Sequence, residues 1–313
     1  METSIAAVER GDTIDTIDGI NAIDGVDCAV GESPVWSAAE AAWYWVDIPA
    51  KTIWRLDPAS GAVARWHCAE MVACIAVREG GGLIAGMESG IFGLTLQGDG
   101  TAAPVRLAAP VPAELKPGMR FNDGRCDRQG RFWSGTMLMN MAAARPDGHL
   151  YRYTAMHGLS APVVSNLLVQ NGLAWSPDGA TMYLSDSHPA RQLVWAFDYD
   201  TDEGFPHNRR LFVDMNAYPG RPDGAAVDSD GGYWTCGNDE ACILRFTPAG
   251  KLDRKIAVPM PKPSMCSFGG PDLDTMLVTS IGAGKADGDA WAGKVLMLRP
   301  GATGVAETPF RGD

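Results

Sequence analysis

The chain has 313 residues, 46% hydrophobic and 20% charged, with 37 Gly, 21 Pro and 10 Trp; that is enough for a sizeable core in one large domain or two ordinary ones, and it excludes extensive disorder. Its 26 Lys and Arg against 38 Asp and Glu give a formal net charge of -12, which argues against nucleic acid, because phosphate-backbone binding relies on clustered basic residues. No apolar run approaches a membrane span, and the start METSIAAVERGDTIDTIDG has neither a basic nor an apolar signal region, so a cytoplasmic location with no membrane partner is expected.

In chain order, residues 1–27 carry the acidic low-complexity stretch DTIDTIDGINAIDGVD. This tail is expected to be either partly disordered or a contributor to ring closure, with residues near 23–30 joining the last unit. PVWSAAEAAWYWVDI then reads as two strands around a turn, and KTIWRLDPASGAVARWH as two more. The same scheme returns in IAVREGGGLIAGMESG, in CDRQGRFWSGTM with GHLYRYTAMHG, and in LAWSPDGATMYLSDS with QLVWAFDYDTDEG. It returns again in AAVDSDGGYWTCGN with ACILRFTPAGKLDRKIAV and, diverged, in CSFGGPDLDTMLVTS. The turn glycines Gly81, Gly130, Gly179 and Gly231 recur at spacings of 49, 49 and 52 residues. Four short strands per repeat of this length predict an all-β fold, a six-bladed β-propeller over residues 28–313. A pair of β-sandwiches is the competing architecture, and the repeat disfavours it. The seven Cys are scattered without a C-x-x-C pair and read as small buried thiols rather than a disulfide or zinc framework.

In a propeller the first strand of each blade lines the central channel, so residues at its entry converge on one end of the axis. Reading ahead of each first strand gives Glu32 in GESPVW, Arg120, Asn122 and Asp123 in RFNDG, Asn171 in QNGLAW and Asp223 in RPDGAAV. Singly, N-D-G, N-G and P-D-G are ordinary turn sequences. Oxygen-bearing groups from four units, at one place in the repeat, point instead to a ring of hard donors for a divalent cation. Arg120 beside that ring suits an oxygen-rich or anionic ligand.

GESPVW, VDIPAKTIWRLD, RFNDGRCDRQGRFWSGTM, NGLAWSPDGATMYLSDS, PDGAAVDSDGGYW and CSFGGPDLDTMLVTS, taken in order, resemble the regucalcin (senescence marker protein)/gluconolactonase family. The resemblance implies a propeller that holds one divalent metal near its axis and hydrolyses sugar lactones. By motif it places metal ligands at Glu32, Asn171 and Asp223, the general base at Asp223, and substrate binding at Arg120 and Asn122. The metal is left open among calcium, magnesium, manganese, iron and zinc. Some family members have an acidic residue near the end of the GTM hairpin, where this chain has Asn140, so that substrate contact is in question. Competing readings are a propeller esterase or phosphotriesterase and a calcium-binding or interaction scaffold. A monomer is expected, acting on a small sugar lactone chosen by the loops 102–119, 138–148 and 282–292.

Other signals rank lower. DYDTDEG lacks the Gly and Glu of a calcium loop and reads as a hairpin turn. Asp47 and Asp186 read as turn caps and His188 as a solvated loop residue, while Trp36, Trp133, Trp175 and Trp234 are expected to pack between blades. SIGAGKADG is not a P-loop, the five His show no H-x-x-x-H spacing, and no G-x-S-x-G is present.

Overall fold

In the computed structural model, short apolar strands and Gly- or Asp-rich turns build six small antiparallel sheets arranged in a ring, a six-bladed β-propeller. The structure describes residues 4–10, 13–286 and 288–312; the very start of the 1–27 tail and residues 11–12 lie outside the described residues. Blade 1 runs through Gly31–Ser37, Ala42–Asp47, Thr52–Asp57 and Ala62–His67. The first strands of blades 2 to 6 are Val72–Val77, Met119–Cys126, Gln170–Trp175, Arg221–Val227 and Pro263–Gly269. Among the described residues no helix is long and apolar enough to cross a membrane.

Blade 6 takes three strands from the end of the chain and its outermost strand, Thr13–Ala22, from the beginning, with Asn21 opposite Met297 and Ala22 opposite Leu296. The contact continues as Ile23 N–H donates to the Val295 carbonyl and Cys28 N–H to that of Gly293. Strand Ser4–Arg10 folds back on Thr13–Ala22 and touches the last strand of blade 5. Joining the two ends of the chain in one sheet removes the open edge a six-sheet ring would otherwise present.

Every first strand carries a register shift at the same place: between Glu32 and Val35, Val72 and Cys74, Phe121 and Gly124, Asn171 and Ala174, Pro222 and Ala225, and Pro263 and Cys266. A bulge bends the strand and re-aims its side chains. This corrects the expected placement of Glu32, Arg120, Asn122, Asn171 and Asp223: they lie inside the first strands, in or beside the bulges, rather than ahead of them. The bulged residues read as turns because they leave the pairing ladder. The neighbouring glycines answer to crowding at the axis. A Cβ on Gly124 would come 2.6 Å from Cys74 Sγ in blade 2, and one on Gly224 would overlap Met265 in blade 6. Gly172 alone of these three has a positive φ, 61°, and its carbonyl accepts from the Tyr233 hydroxyl of the next blade.

The four tryptophans pack as expected. Trp133 of blade 3 lies 6.0 Å from Trp175 of blade 4, and Trp234 of blade 5 lies 5.9 Å from Phe268 of blade 6. Beneath them, buried Asp228 accepts from the backbone N–H of Asp230 and Gly232, from Trp234 Nε1 at 2.7 Å and from Arg245 Nε at 2.6 Å. Asp127 repeats the arrangement in blade 3, with Trp133 Nε1 and the Tyr199 hydroxyl as donors. All seven cysteines are buried and unbridged. DYDTDEG is a turn, in which Asp200 caps the N–H groups of Asp202 and Glu203. Part of the supposed loop 102–119 is the outer strand of blade 2, Ala102–Ala108.

Candidate active site

The bulges of blades 1, 3, 4 and 5 turn polar groups toward one end of the channel, and a hydrogen-bonded chain connects several of them. Arg120 Nη1 donates to Asn122 Oδ1 at 2.7 Å and to the Phe121 carbonyl at 2.8 Å. Asn122 Nδ2 donates to Asn171 Oδ1 at 3.0 Å and to the Gln170 carbonyl at 2.6 Å. Asn171 Nδ2 in turn donates to Ser187 Oγ at 2.8 Å. Both carboxamides are therefore fixed in orientation, and Asn171 Oδ1 keeps a second lone pair for another partner.

Around this chain sit three carboxylates. Asp223 is buried, and Asn238 Nδ2 donates to its Oδ2 at 2.5 Å. Burial pushes the Asp223 carboxyl up to about 7, against the pull of Asn238 and Arg221 and with Asp123 adding repulsion. Glu32 is raised well above the usual carboxylate value, first by burial and then by repulsion from Asp223 and Asp123. Asp123 is raised by burial as well. Its Oδ2 accepts from Leu173 N–H in the Asn171 bulge at 2.9 Å, while Oδ1 is buried with no hydrogen-bond partner. Arg120 is lowered to about 10 by withdrawal from water, with Glu32 the foremost group pulling it back up.

Glu32, Asn171 and Asp223 present only oxygen donors, the chemistry of a hard cation, and the raised carboxyls and the orphaned Asp123 oxygen mark a place short of positive charge. Among the described residues no three His, Cys, Asp or Glu side chains are placed to hold a metal. A cation here would therefore need the Asn171 carboxamide beside the two acids. The residues fit such an ion on donor type and charge.

The structure brings Arg120, Asn122 and Asn171 together by hydrogen bonds, and Glu32, Asp223 and Arg120 by mutual electrostatics. Asn140 is exposed at the start of the short 3-10 turn Met141–Ala143 and makes no capping hydrogen bond. Asp47 caps the backbone of Ala29 and Val30, and Asp186 that of Leu168 and Val169. His188 departs from the solvated loop expected for it. It is buried; its Nδ1 accepts from Ala190 N–H, which leaves Nε2 to donate to the Met141 carbonyl at 3.0 Å. A loop residue between two blades is held by whichever neighbouring loop folds over it, and local sequence does not report that. Sequence reasoning also missed Ser187, Asn238 and Arg221. Asn238 ends the second strand of blade 5 as Asp47 and Asp186 end theirs, so alignment of the repeats would have singled it out.

Fold and site together define a propeller enzyme class with an acidic, oxygen-rich cluster on the bulges of its first strands. The chain matches the family described as "SMP-30/Gluconolactonase/LRE-like region" over residues 30–282, and it belongs to that family. It is 38% identical over 289 residues to the 6-deoxy-6-sulfogluconolactonase of Pseudomonas putida, covering 90% of this chain and 95% of the relative. It is 32% identical to a pentonolactonase of Haloferax volcanii, covering 91% and 95%, and 32% identical to regucalcin of Xenopus laevis, covering 90% and 95%. Among solved structures, a luciferin-regenerating enzyme superposes with a TM-score of 0.84 at 28% identity, covering 94% of this chain and 99% of that one. A calcium-binding regucalcin from Agrobacterium tumefaciens superposes with a TM-score of 0.85 at 24% identity, covering 95% and 98%, a likeness of fold.

Proposed function

We propose that this chain is a divalent-metal-dependent lactonase that opens a sugar lactone to its aldonic acid. Membership of the family and relatives named as lactonases support the enzyme class. The observation that carries the reading is the chain from Arg120 through Asn122 to Asn171 alongside half-buried Glu32 and buried Asp223. A structural ion alone would need no guanidinium held beside it, and Arg120 Nη1 is fixed there by the Asn122 and Phe121 oxygens, which favours catalysis over a scaffold.

In this reading residues 28–313 form one propeller domain whose sixth blade is completed by the strand Thr13–Ala22, and Glu32, Asn171 and Asp223 hold a single cation of calcium, zinc, manganese, magnesium or iron. When bound, the cation polarises the lactone carbonyl and acidifies water. Arg120 and Asn122 bind and orient the ring oxygens, and the Arg120 charge offsets the oxyanion that develops on the carbonyl. Asp223 Oδ2 is engaged by Asn238, so Oδ1 accepts the proton of the attacking water. The water oxygen adds to the carbonyl carbon, the ring C–O bond breaks, and the proton passes to the departing ring oxygen to give the hydroxy acid.

The test is acid release, read by a pH indicator, from a panel of aldono-1,4- and 1,5-lactones, using chelator-stripped protein with and without each divalent metal. Hydrolysis above the spontaneous rate only after metal is restored is the expected result. Background rates for every lactone with metal bound would overturn the proposal.

A further inference from the structure

Arg221 does not face the reacting groups, yet it contacts the residue behind two of them. It opens the first strand of blade 5 and pairs across the sheet with Asn238. Its Nε is ion-paired with Asp239 Oδ2 at 2.7 Å, its Nη2 donates to Asn238 Oδ1 at 3.4 Å, and its Nη1 donates to the Ser187 carbonyl of blade 4 at 3.1 Å. Both latter contacts lead inward. Asn238 Nδ2 reaches Asp223 Oδ2, and Ser187 Oγ receives Asn171 Nδ2. One guanidinium thus spans two blades and braces the supports of Asn171 and Asp223 at once.

We propose that Arg221 is a positioning residue that fixes the Asn171 carboxamide and the Asp223 carboxylate relative to each other and thereby sets divalent-cation affinity; this rests on the metal reading of the site given above. The physical logic lies in the Asn238 amide. Asn238 can serve Asp223 only with its nitrogen inward, and a cationic donor at Oδ1 enforces that orientation. Without Arg221 the amide is free to turn and set its oxygen against the carboxylate. The planar guanidinium makes three bonds in three directions, which a lysine ammonium on a flexible stem does not reproduce. Asp239, ion-paired with the guanidinium at 2.7 Å, offsets much of the repulsion that Arg221 would otherwise exert on a cation. Partners one shell outside a metal's ligands commonly change its affinity by roughly 10- to 100-fold when removed.

The competing role is a plain staple between blades 4 and 5, which would move stability alone. The experiment titrates the stripped full-length protein with Mn2+ by calorimetry for wild type, Arg221→Met, Arg221→Lys, Asn238→Ala and the Met/Ala double variant. Melting temperature, and kcat and KM with glucono-1,5-lactone, are measured beside it. Arg221→Met is expected to weaken Mn2+ binding about 10- to 100-fold with the fold retained, and Arg221→Lys to recover only part. The double variant should lose less than the sum of the singles, since both act through one amide. Wild-type binding with unchanged affinity in Arg221→Met overturns the brace and leaves the metal reading intact, whatever the melting temperature does. No Mn2+ binding by wild type overturns both. Should Arg221→Met fail to fold, Arg221→Lys and Asn238→Ala decide the question by the same affinity comparison.

Discussion

Replacing Asp223 by Asn removes a charge and a proton acceptor while keeping the shape of the side chain. Its amide oxygen can occupy the Oδ2 position and still accept from Asn238, so the surroundings need not move. General-base assistance is worth roughly 100- to 10,000-fold, which at about 1.36 kcal/mol per decade is roughly 3 to 5 kcal/mol of barrier. The variant should therefore lose at least about 100-fold in kcat at saturating metal and lactone. Its stability should change in the opposite sense. In metal-free protein the Asp223 carboxyl rises from 3.8 to about 7 on folding, so the folded state holds its proton more tightly than the unfolded chain does. Stability then falls as pH climbs from about 4 to about 7 and stays low above that, with a maximal penalty on the order of 4 kcal/mol before the site relaxes. Asn carries no such penalty, so metal-free Asp223→Asn should melt no lower than wild type at pH 8, with the gap closing toward pH 4. Paired thermal melts and pH-stat assays read both quantities. A variant with kcat within tenfold of wild type would refute the base assignment, and one that melts well below wild type at pH 8 would refute the electrostatic reasoning.

Arg120→Lys should cost about tenfold or more in kcat/KM, because Nη1 alone holds the Asn122 and Phe121 oxygens, which leaves the rest of the guanidinium fork for substrate, and an ammonium has no second nitrogen to offer; steady-state kinetics on the preferred lactone check it. Asp228→Ala strips an ion-paired Arg245, an indole N–H and two turn N–H groups of their acceptor. It should destabilise by about 3 to 5 kcal/mol in urea unfolding, far more than Asp230→Ala in the same exposed turn. Gly224→Ala forces a methyl into Met265 beside Asp223 and should cost about 1 to 3 kcal/mol in the same assay with a further loss of kcat as the bulge shifts.

The fold was legible because a propeller repeats itself: Gly130, Gly179 and Gly231 mark hairpins that every blade must have, and Asp127 with Trp133 recurs as Asp228 with Trp234 for the same packing reason. The candidate site was legible in its residue types and not in its local geometry. Asn122-Asp123-Gly124 and Pro222-Asp223-Gly224 read as turns, since a bulge frees residues from the ladder much as a turn does, and only the neighbouring blades show why glycine is required there. What lies one shell further out was invisible. Arg221 opens a strand like any surface residue, and its bonds to Ser187 and Asn238 depend on blades 4 and 5 meeting, a relation that no local spacing encodes.

Charge explains why such a strained cluster persists beside a closed ring of well-packed sheets. Arg125 is paired with Glu307 at 3.4 Å and Arg221 with Asp239 at 2.7 Å, so each offsets the neighbouring carboxylates only in part. Arg120 remains, with Glu32 and Asp223 both acting on it, and Asp123 adds a third negative group beside those two. With all three ionised, the group carries two net negative charges in surroundings poor in water, and burial answers by raising each carboxyl. A single divalent cation balances that excess, whereas a monovalent ion or a second arginine would leave half of it. On the proposed metal reading, the same excess that costs folding energy becomes binding energy for a cation of matching charge, and the bulges hold the oxygens in place for it.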